Sequence, residues 1–267
     1  MTESYFEAHE RATAQGESSY VDPDTGYRVF TRDALLVRNR CCGCGCRHCP
    51  FHHDNIPVSD RPDRIKQPAW LTERFESATI VLSWSGGKDS FLALRALRRQ
   101  FYGQEIALLT TFDAITRVVA HQEIAISHVV EQAVSLNIGL VGVPLVSGAD
   151  YLEQVSAGLA LIPSLQYLAF GDLHLEPIRQ WRENCFAPLV SKGLKLQFPI
   201  WHTPYDELLA DFIASGARSE ISAVTHPELT NLIGHNFGQS FIDDLPPDVD
   251  SFGENGEFHT RVFPVSR

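Results

Sequence analysis

Ser85-Gly86-Gly87-Lys88-Asp89-Ser90 concentrate more usable chemistry than any other stretch of this 267-residue chain. An apolar run, Ala78–Trp84, precedes them, and Phe91–Leu97 follows with apolar residues at helical spacing. That order predicts a strand, a tight loop and a helix. In such a geometry backbone N–H groups and the positive helix end converge in front of the strand, where an anion can sit. Gly86 and Gly87 would let a phosphate approach the backbone. The hydroxyls of Ser85 and Ser90 can donate to its oxygens, and Lys88 adds charge. Asp89 makes sense beside a phosphate when it holds Mg²⁺. The plainer alternative is a glycine-rich turn that binds nothing. The spacing Gly-x4-Gly-Lys-Ser/Thr is absent, so this is not a Walker loop.

Three further stretches carry reactive side chains. In Phe170-Gly171-Asp172-Leu173-His174-Leu175-Glu176-Pro177-Ile178-Arg179-Gln180-Trp181-Arg182-Glu183, Gly171 and Asp172 fall just past a strand. Arg179, Arg182 and Glu183 share one helical face. Arginines there can grip phosphate or carboxylate oxygens in bidentate fashion, or they form a solvated Arg–Glu face. Thr110, near the end of a second strand, and His121 beyond it are candidates for nucleotide contact, or polar residues satisfied at the sheet edge. Gly253-Glu254-Asn255-Gly256-Glu257-Phe258-His259-Thr260 sets two carboxylates, an amide and an imidazole in a glycine-broken loop. Glu254, Asn255, Glu257 and His259 could orient a nucleophile, hold a metal or act as acid and base. Alone, the stretch would read as an exposed turn.

Cys41, Cys42, Cys44, Cys46 and Cys49 are five of the six cysteines. Disulfides between such neighbours would close only a few residues, so the cluster reads as metal-binding or simply reduced. The pairs 41/44 and 46/49 are each Cys-x2-Cys, with His48, His52 and His53 close by. These donors suit Zn²⁺ or an iron–sulfur cluster, although zinc pairs usually sit further apart. The alternative is a compact turn of reduced cysteines.

The elements that must position these groups alternate. Residues 1–18 are polar without periodicity and are expected to form a disordered tail. Tyr20–Thr31 reads as a hairpin turning at Asp22–Gly26, within a Cys-rich module at 19–56. Residues 57–76, with Pro57, Pro62 and Pro68, read as a linker, and 77–267 as the nucleotide-binding domain. Within it, strands are expected at 105–111, 138–143 and 166–170. Helices are expected at 119–136, near 150–161 and from Glu176. Another helix is opened by a capping Thr203 with Pro204 at its first position and closed by Gly216. Arg218–Val224 is the last expected strand. The alternation predicts an α/β fold with a doubly wound parallel sheet, in which ligands bind at the carboxyl ends of the strands.

Ser-Gly-Gly-Lys-Asp-Ser resembles the PP-loop of ATP pyrophosphatases, which cleave ATP between the α and β phosphates. With Gly171-Asp172, His174-Leu175-Glu176-Pro177-Ile178-Arg179, Arg182-Glu183, Pro199-Ile200-Trp201 and Gly253–Thr260 following in order, residues 78 to 265 resemble the diphthine–ammonia ligase family. The resemblance implies a Rossmann-like sheet of the PP-loop HUP type and an AMP- and pyrophosphate-forming amide ligase. ATP would activate an acceptor carboxylate, on a small molecule or a protein side chain, for attack by ammonia or an amine. It implies that Ser85, Gly86, Gly87, Asp89 and Ser90 bind pyrophosphate and Mg²⁺; Lys88, Thr110, His121 and Gly171 are expected beside them as ATP contacts from their own positions at the loop and the strand ends. Asp172, Arg179, Arg182, Glu183, Glu254, Glu257 and His259 would be catalytic, and Asn255 would contact the acceptor. The cysteine stretch resembles the Cys-Cys-Gly-x-Gly-Cys-Arg-His-Cys-Pro signature of a small bacterial domain of unknown function. That module is foreign to the ligase, and diphthamide belongs to archaea and eukaryotes, so a bacterial host would imply another acceptor.

Two other classes fit part of the pattern. A thiolating PP-loop enzyme would use the front cysteines, and a non-catalytic protein would bind ATP or carry metal without turnover. A net charge of -11 argues against a broad nucleic-acid-binding surface. No stretch is long and apolar enough to span a membrane, and Met1–Ser4 lack a signal pattern. The expected location is the cytoplasm.

Overall fold

The computed structural model describes residues 4–23, 25–51, 53–56, 67–120 and 122–265. The chain forms two compact units, Met1–Arg64 and Ile65–Arg267. His121, His52 and positions 57–66 of the expected linker lie outside the described residues.

In the first unit, helix α1 (Tyr5–Ala14) precedes the hairpin of β1 (Ser19–Val21) and β2 (Arg28–Phe30), and the short helix α2 (Arg32–Leu36) follows. The hairpin lies where its turn residues predict, with Tyr20 opposite Val29. The expectation of a disordered tail over 1–18 is corrected by α1. Ser4 and Glu7 form a reciprocal capping box: the Glu7 N–H donates to Ser4 Oγ at 3.3 Å, and the Ser4 N–H donates to Glu7 Oε2 at 2.7 Å. Two orphan donors of the first turn are thereby satisfied, and Ala8 and Ala12 bury against Tyr20.

The second unit is built on a six-stranded sheet of β3 (Ala69–Trp70), β4 (Ile80–Ser83), β5 (Ile106–Asp113), β8 (Leu140–Leu145), β9 (Tyr167–Ala169) and β10 (Lys195–Gln197). Their order is β10-β9-β4-β5-β8-β3. All neighbours are parallel except the short edge strand β3, which runs antiparallel to β8. Helices α3 (Lys88–Gln100), α4 (Ile126–Leu136), α5 (Tyr151–Leu159), α6 (Glu176–Val190) and α7 (Tyr205–Ala214) connect and follow these strands. Alternate residues of β4 and β5 feed two apolar layers, Ile80, Leu82 and Leu108 on one face and Val81, Ala107 and Leu109 on the other. Burial on both faces is why these strands read as continuous apolar runs. The chain leaves β4 through α3 toward β5 on one side and returns through α5 to β9 on the other. The carboxyl ends of β4 and β9 are therefore a topological switch point, where connections diverge and leave a crevice.

Three expectations are corrected. The helix expected over 119–136 begins only at Ile126, because β6 (Val118–Val119) and β7 (Ile124–Ala125) pair first. Arg117 and Glu123 in left-handed conformations turn the chain there. Pro204 is itself the N-cap of α7, which has no side-chain cap from Thr203. Strand β11 (Arg218–Val224) does not join the parallel sheet. It pairs antiparallel with β12 (Phe258–Phe263), a strand hidden behind the glycines of 253–256. A 3₁₀ turn (Pro227–Leu232) and the short helix α8 (Gln239–Asp243) lie between them. Among the described residues no helix is long and apolar enough to cross a membrane.

Leu108 is fully buried at the centre of the sheet. Leu108→Ala is expected to lower the unfolding free energy by about 2–5 kcal/mol, through lost burial and the cavity left behind. Urea denaturation measures this, and a loss below about 1 kcal/mol would contradict that packing.

Candidate active site

After β4, Trp84-Ser85-Gly86-Gly87 leads into α3 with Gly87 as the N-cap, which has no side chain of its own to cap the first turn. Gly86 has φ +84°, and a Cβ there would lie 2.9 Å from Gln132 Oε1. At Gly87 a Cβ would meet Gln122 Oε1 at 2.9 Å and the Thr260 carbonyl at 3.1 Å. Both positions need glycine because neighbours press on the loop. Buried Gln132, on α4, supplies much of that pressure. Its Oε1 accepts from Trp84 Nε1 at 2.9 Å, and its Nε2 donates to the carbonyls of Gly86 at 2.9 Å and Val262 at 2.7 Å. The Gly87 N–H donates to Ser85 Oγ at 3.3 Å, Ser85 Oγ donates to Ser90 Oγ at 3.3 Å, and Ser90 Oγ to the Gly87 carbonyl at 2.9 Å. Both hydroxyls face a cavity of about 300 Å³ at the switch point.

Asp89, Asp172, Glu254, Lys88 and Arg182 line the same cavity, together with His259. Both cations are engaged. Arg182 grips Asp172 with two bonds, Nε to Oδ2 at 2.8 Å and Nη2 to Oδ1 at 3.1 Å, while its guanidinium lies over the Phe170 ring. Lys88, expected to add charge at the phosphate, is buried instead under the rings of Phe237, Phe252 and Phe258. Its ammonium donates to Asp89 Oδ2 at 2.9 Å and to the Phe252 carbonyl. Thr260 Oγ1 accepts from the Lys88 N–H at 3.0 Å, which brings β12 onto the start of α3. A Cβ at Gly171 would lie 2.9 Å from the Asp89 carbonyl, so the end of β9 rests directly on α3.

The carboxylates feel this crowding. Burial pushes Asp89 above the usual carboxylate range, although Lys88 pulls it down. Burial, and then the neighbouring Asp89 charge, push Glu254 up to about 8. Asp89 Oδ1 is buried without a protein hydrogen-bond partner among the described residues. An orphaned carboxylate oxygen among like charges fits a divalent cation, and Mg²⁺ typically takes one or two carboxylates with phosphate and water completing its shell. Asp89 would hold it, with Glu254 nearby.

The loop before β12 fastens itself with carboxylates. Asp250 Oδ1 accepts from the N–H groups of Phe252 at 2.8 Å and Glu254 at 3.2 Å, and the Tyr205 hydroxyl donates to its Oδ2 at 3.0 Å. Burial and that carboxylate together push the Tyr205 hydroxyl up. Glu257 accepts from the Asp250 N–H at 2.9 Å and from Asn255 Nδ2 at 3.0 Å. Burial raises its carboxyl, but these donors win and hold it below the ordinary range. Asn255 and Glu257, expected at the acceptor, do not line the cavity; they shape the loop that presents Glu254 and His259. Arg179 and Glu183 bond each other at 3.0 Å, with Arg179 packed over Phe198 and Trp201, also off the cavity. Thr110 is fully buried within β5 and is likewise not a lining residue. Gln132, Trp84, Tyr205 and Asp250 were not legible as site residues, because each reads locally as an ordinary helix, strand or loop position.

In the first unit, Cys41, Cys49 and His53 bring their ligand atoms within 4.8 Å of one another. The group does not follow the two Cys-x2-Cys pairs: Cys44 is exposed, and Cys42 Sγ lies 3.4 Å from Cys46 Sγ.

Residues 8–55 match a family of unknown function, DUF5522. Among solved structures, the chain is similar to the FMN adenylyltransferase of Candida glabrata in complex with FAD and inorganic pyrophosphate. The identity is 12% and the TM-score 0.35, over 51% of this chain and 49% of that one, so this chain matches about half the length of that protein.

Glu254 titrates near 4.5 when exposed and at about 8 in the folded protein. Between those values the folded state holds the extra proton, so this group's contribution to stability declines as pH rises from about 4.5 through about 8 and is level above. Glu254→Gln is expected to remove that decline and to be the more stable protein at alkaline pH. Urea midpoints measured across this range test it; superimposable wild-type and variant profiles would show that Glu254 is not buried among charges.

Proposed function

We propose that the second unit is a Mg²⁺-dependent, AMP-forming ATP pyrophosphatase that activates an acceptor carboxylate for attack by ammonia or an amine. The observation that carries this reading is the opening of the α3 N-terminus, whose N-cap is a glycine, at the switch point, beside Asp89 with its orphaned oxygen. The helix end and the hydroxyls of Ser85 and Ser90 favour a polyphosphate. The lining cations Lys88 and Arg182 are tied to Asp89 and Asp172, so a nucleotide's charge calls for a metal. Bound at Asp89, Mg²⁺ would neutralise the charge of departing pyrophosphate.

In the reaction proposed, an acceptor carboxylate oxygen attacks the α-phosphorus, and the bond to the bridging oxygen breaks to release pyrophosphate. Ammonia or an amine then attacks the acyl carbon, AMP leaves, and the nitrogen gives up a proton. The loop on Gln132 orients the phosphates, and Arg182, fixed by Asp172 and Phe170, closes the α6 side. Glu254 is protonated at neutral pH before the nucleotide arrives, which lowers the negative charge that phosphates meet. The ordered resemblance of residues 78 to 265 to diphthine–ammonia ligases supports the amide-forming choice over simple hydrolysis, with the acceptor a small molecule or a protein side chain.

Incubation with ATP, Mg²⁺, ammonium and cell extract, followed by nucleotide analysis, is expected to yield AMP and pyrophosphate. Asp89→Asn should reduce that rate by at least about 100-fold, as loss of a charge-stabilising group does, without loss of folded protein by circular dichroism. ADP as the product, or bound ATP without turnover, would refute the pyrophosphatase reading.

A further inference from the structure

Among the described residues, the first unit buries few apolar side chains: Ala8, Ala12, Tyr20, Leu35, Cys41 and Ile56. Its buried apolar cluster is Ala8, Ala12 and Tyr20, with Val29 packed against it. Natural units of fewer than about 70 residues are commonly reinforced by a metal, disulfides or a partner, because a single small core supplies little stability. Its cysteines form no disulfide. From Val37 to Ile56 the described backbone has no helix or strand, yet Cys41 and Ile56 in that stretch are buried. Arg47 bonds Asp22 at 2.7 Å and His48 meets the Tyr20 hydroxyl at 2.8 Å, which ties the middle of the stretch to the hairpin, and neither contact involves a cysteine.

Two observations converge on the cysteines. The ligand atoms of Cys41, Cys49 and His53 lie within 4.8 Å of one another. Beside Cys41 and Cys49 is a half-open space of about 10 Å³, lined also by Cys42 and Cys46, and about one small sphere in size. The Cys49 N–H donates to the Cys46 carbonyl at 3.2 Å, so the turn between them directs a Cys-x2-Cys pair toward one point, the usual chelate spacing for zinc.

We propose that Cys41, Cys46, Cys49 and His53 bind one structural zinc ion that holds the first unit folded. Three thiolates and an imidazole form a closed tetrahedral set, with no position left for substrate or water. Cys46 moves in to complete the trio, and Cys42, at 3.4 Å from the Cys46 sulfur, becomes its outer hydrogen-bond neighbour. Cys44, exposed, takes no part, although the sequence pairs it with Cys41. This site is independent of the nucleotide reading of the second unit.

The test uses the full chain, purified anaerobically, with metal content by mass spectrometry and Co²⁺ exchanged for the resident ion. The expected result is one zinc per chain and a tetrahedral Co²⁺ spectrum whose sulfur charge-transfer band counts three thiolates. Cys44→Ser should retain the metal in full, while Cys46→Ser should lose one thiolate's share of the band, and His53→Ala should bind zinc at least tenfold more weakly. Chelation should expose residues 1–64 to protease and leave the second unit intact. Protein that is metal-free and takes up neither Zn²⁺ nor Co²⁺ would overturn the proposal, as would iron with acid-labile sulfide. A two-thiolate Co²⁺ band, or Cys44→Ser losing metal as fully as Cys46→Ser, would overturn the ligand set. The wild-type spectrum decides even where a cysteine variant fails to fold.

Discussion

One buried amide holds the site together. Gln132 uses its carbonyl oxygen on Trp84 and its amide nitrogen on two backbone carbonyls, those of Gly86 and Val262. Three segments distant in sequence, the end of β4, helix α4 and strand β12, thus meet on one side chain. In a low-dielectric interior such bonds are strong when complete and expensive when broken. Gly86 cannot carry a Cβ beneath this amide, and the loop presents the helix N-terminus only in the shape the amide enforces. The glycines supply the freedom, and Gln132 removes it.

Lys88 is the counterpart on the opposite side. A buried ammonium needs partners, and it has a carboxylate, a carbonyl and three aromatic faces. Its charge stabilises ionised Asp89 against burial but cannot cancel the crowding with Glu254. The empty site relieves that crowding by keeping a proton on Glu254, a proton that a bound cation can replace.

The parallel sheet and the loop at 85–90 were legible because burial on both faces writes itself as unbroken apolar runs, and because paired glycines before a helix have few other uses. The hairpin at 20–31 was legible from its turn. What escaped was set at long range. Lys88 reads as a phosphate ligand until Phe237, Phe252 and Phe258 close over it. Asn255 reads as an acceptor contact and Glu257 as catalytic, whereas their bonds fasten a loop. Strand β12 lies behind glycines that look like a terminal turn, and β11 looks like a fifth parallel strand until β12 claims its edge. Helix α1 could have been found locally, since Ser4 and Glu7 stand at capping-box spacing. Spacing in the cysteine stretch likewise misdirected: neighbours in sequence, Cys41 and Cys44, part company, while Cys41 and Cys49 meet.

The residues from Phe237 to Val262 have a temporal meaning as well. All six strands of the main sheet are encoded before residue 198, so a growing polypeptide can assemble that scaffold while β12 is still unmade. Until then the ammonium of Lys88 lacks its aromatic roof and the Phe252 carbonyl, and the Gly86 carbonyl lacks the Val262 N–H that donates to it at 3.0 Å. During synthesis the protein therefore passes through a stage in which every strand of the sheet is made, one of its apolar faces is only partly covered, and the site is unfinished. Competence arrives as a separate, later event, when one antiparallel ribbon docks.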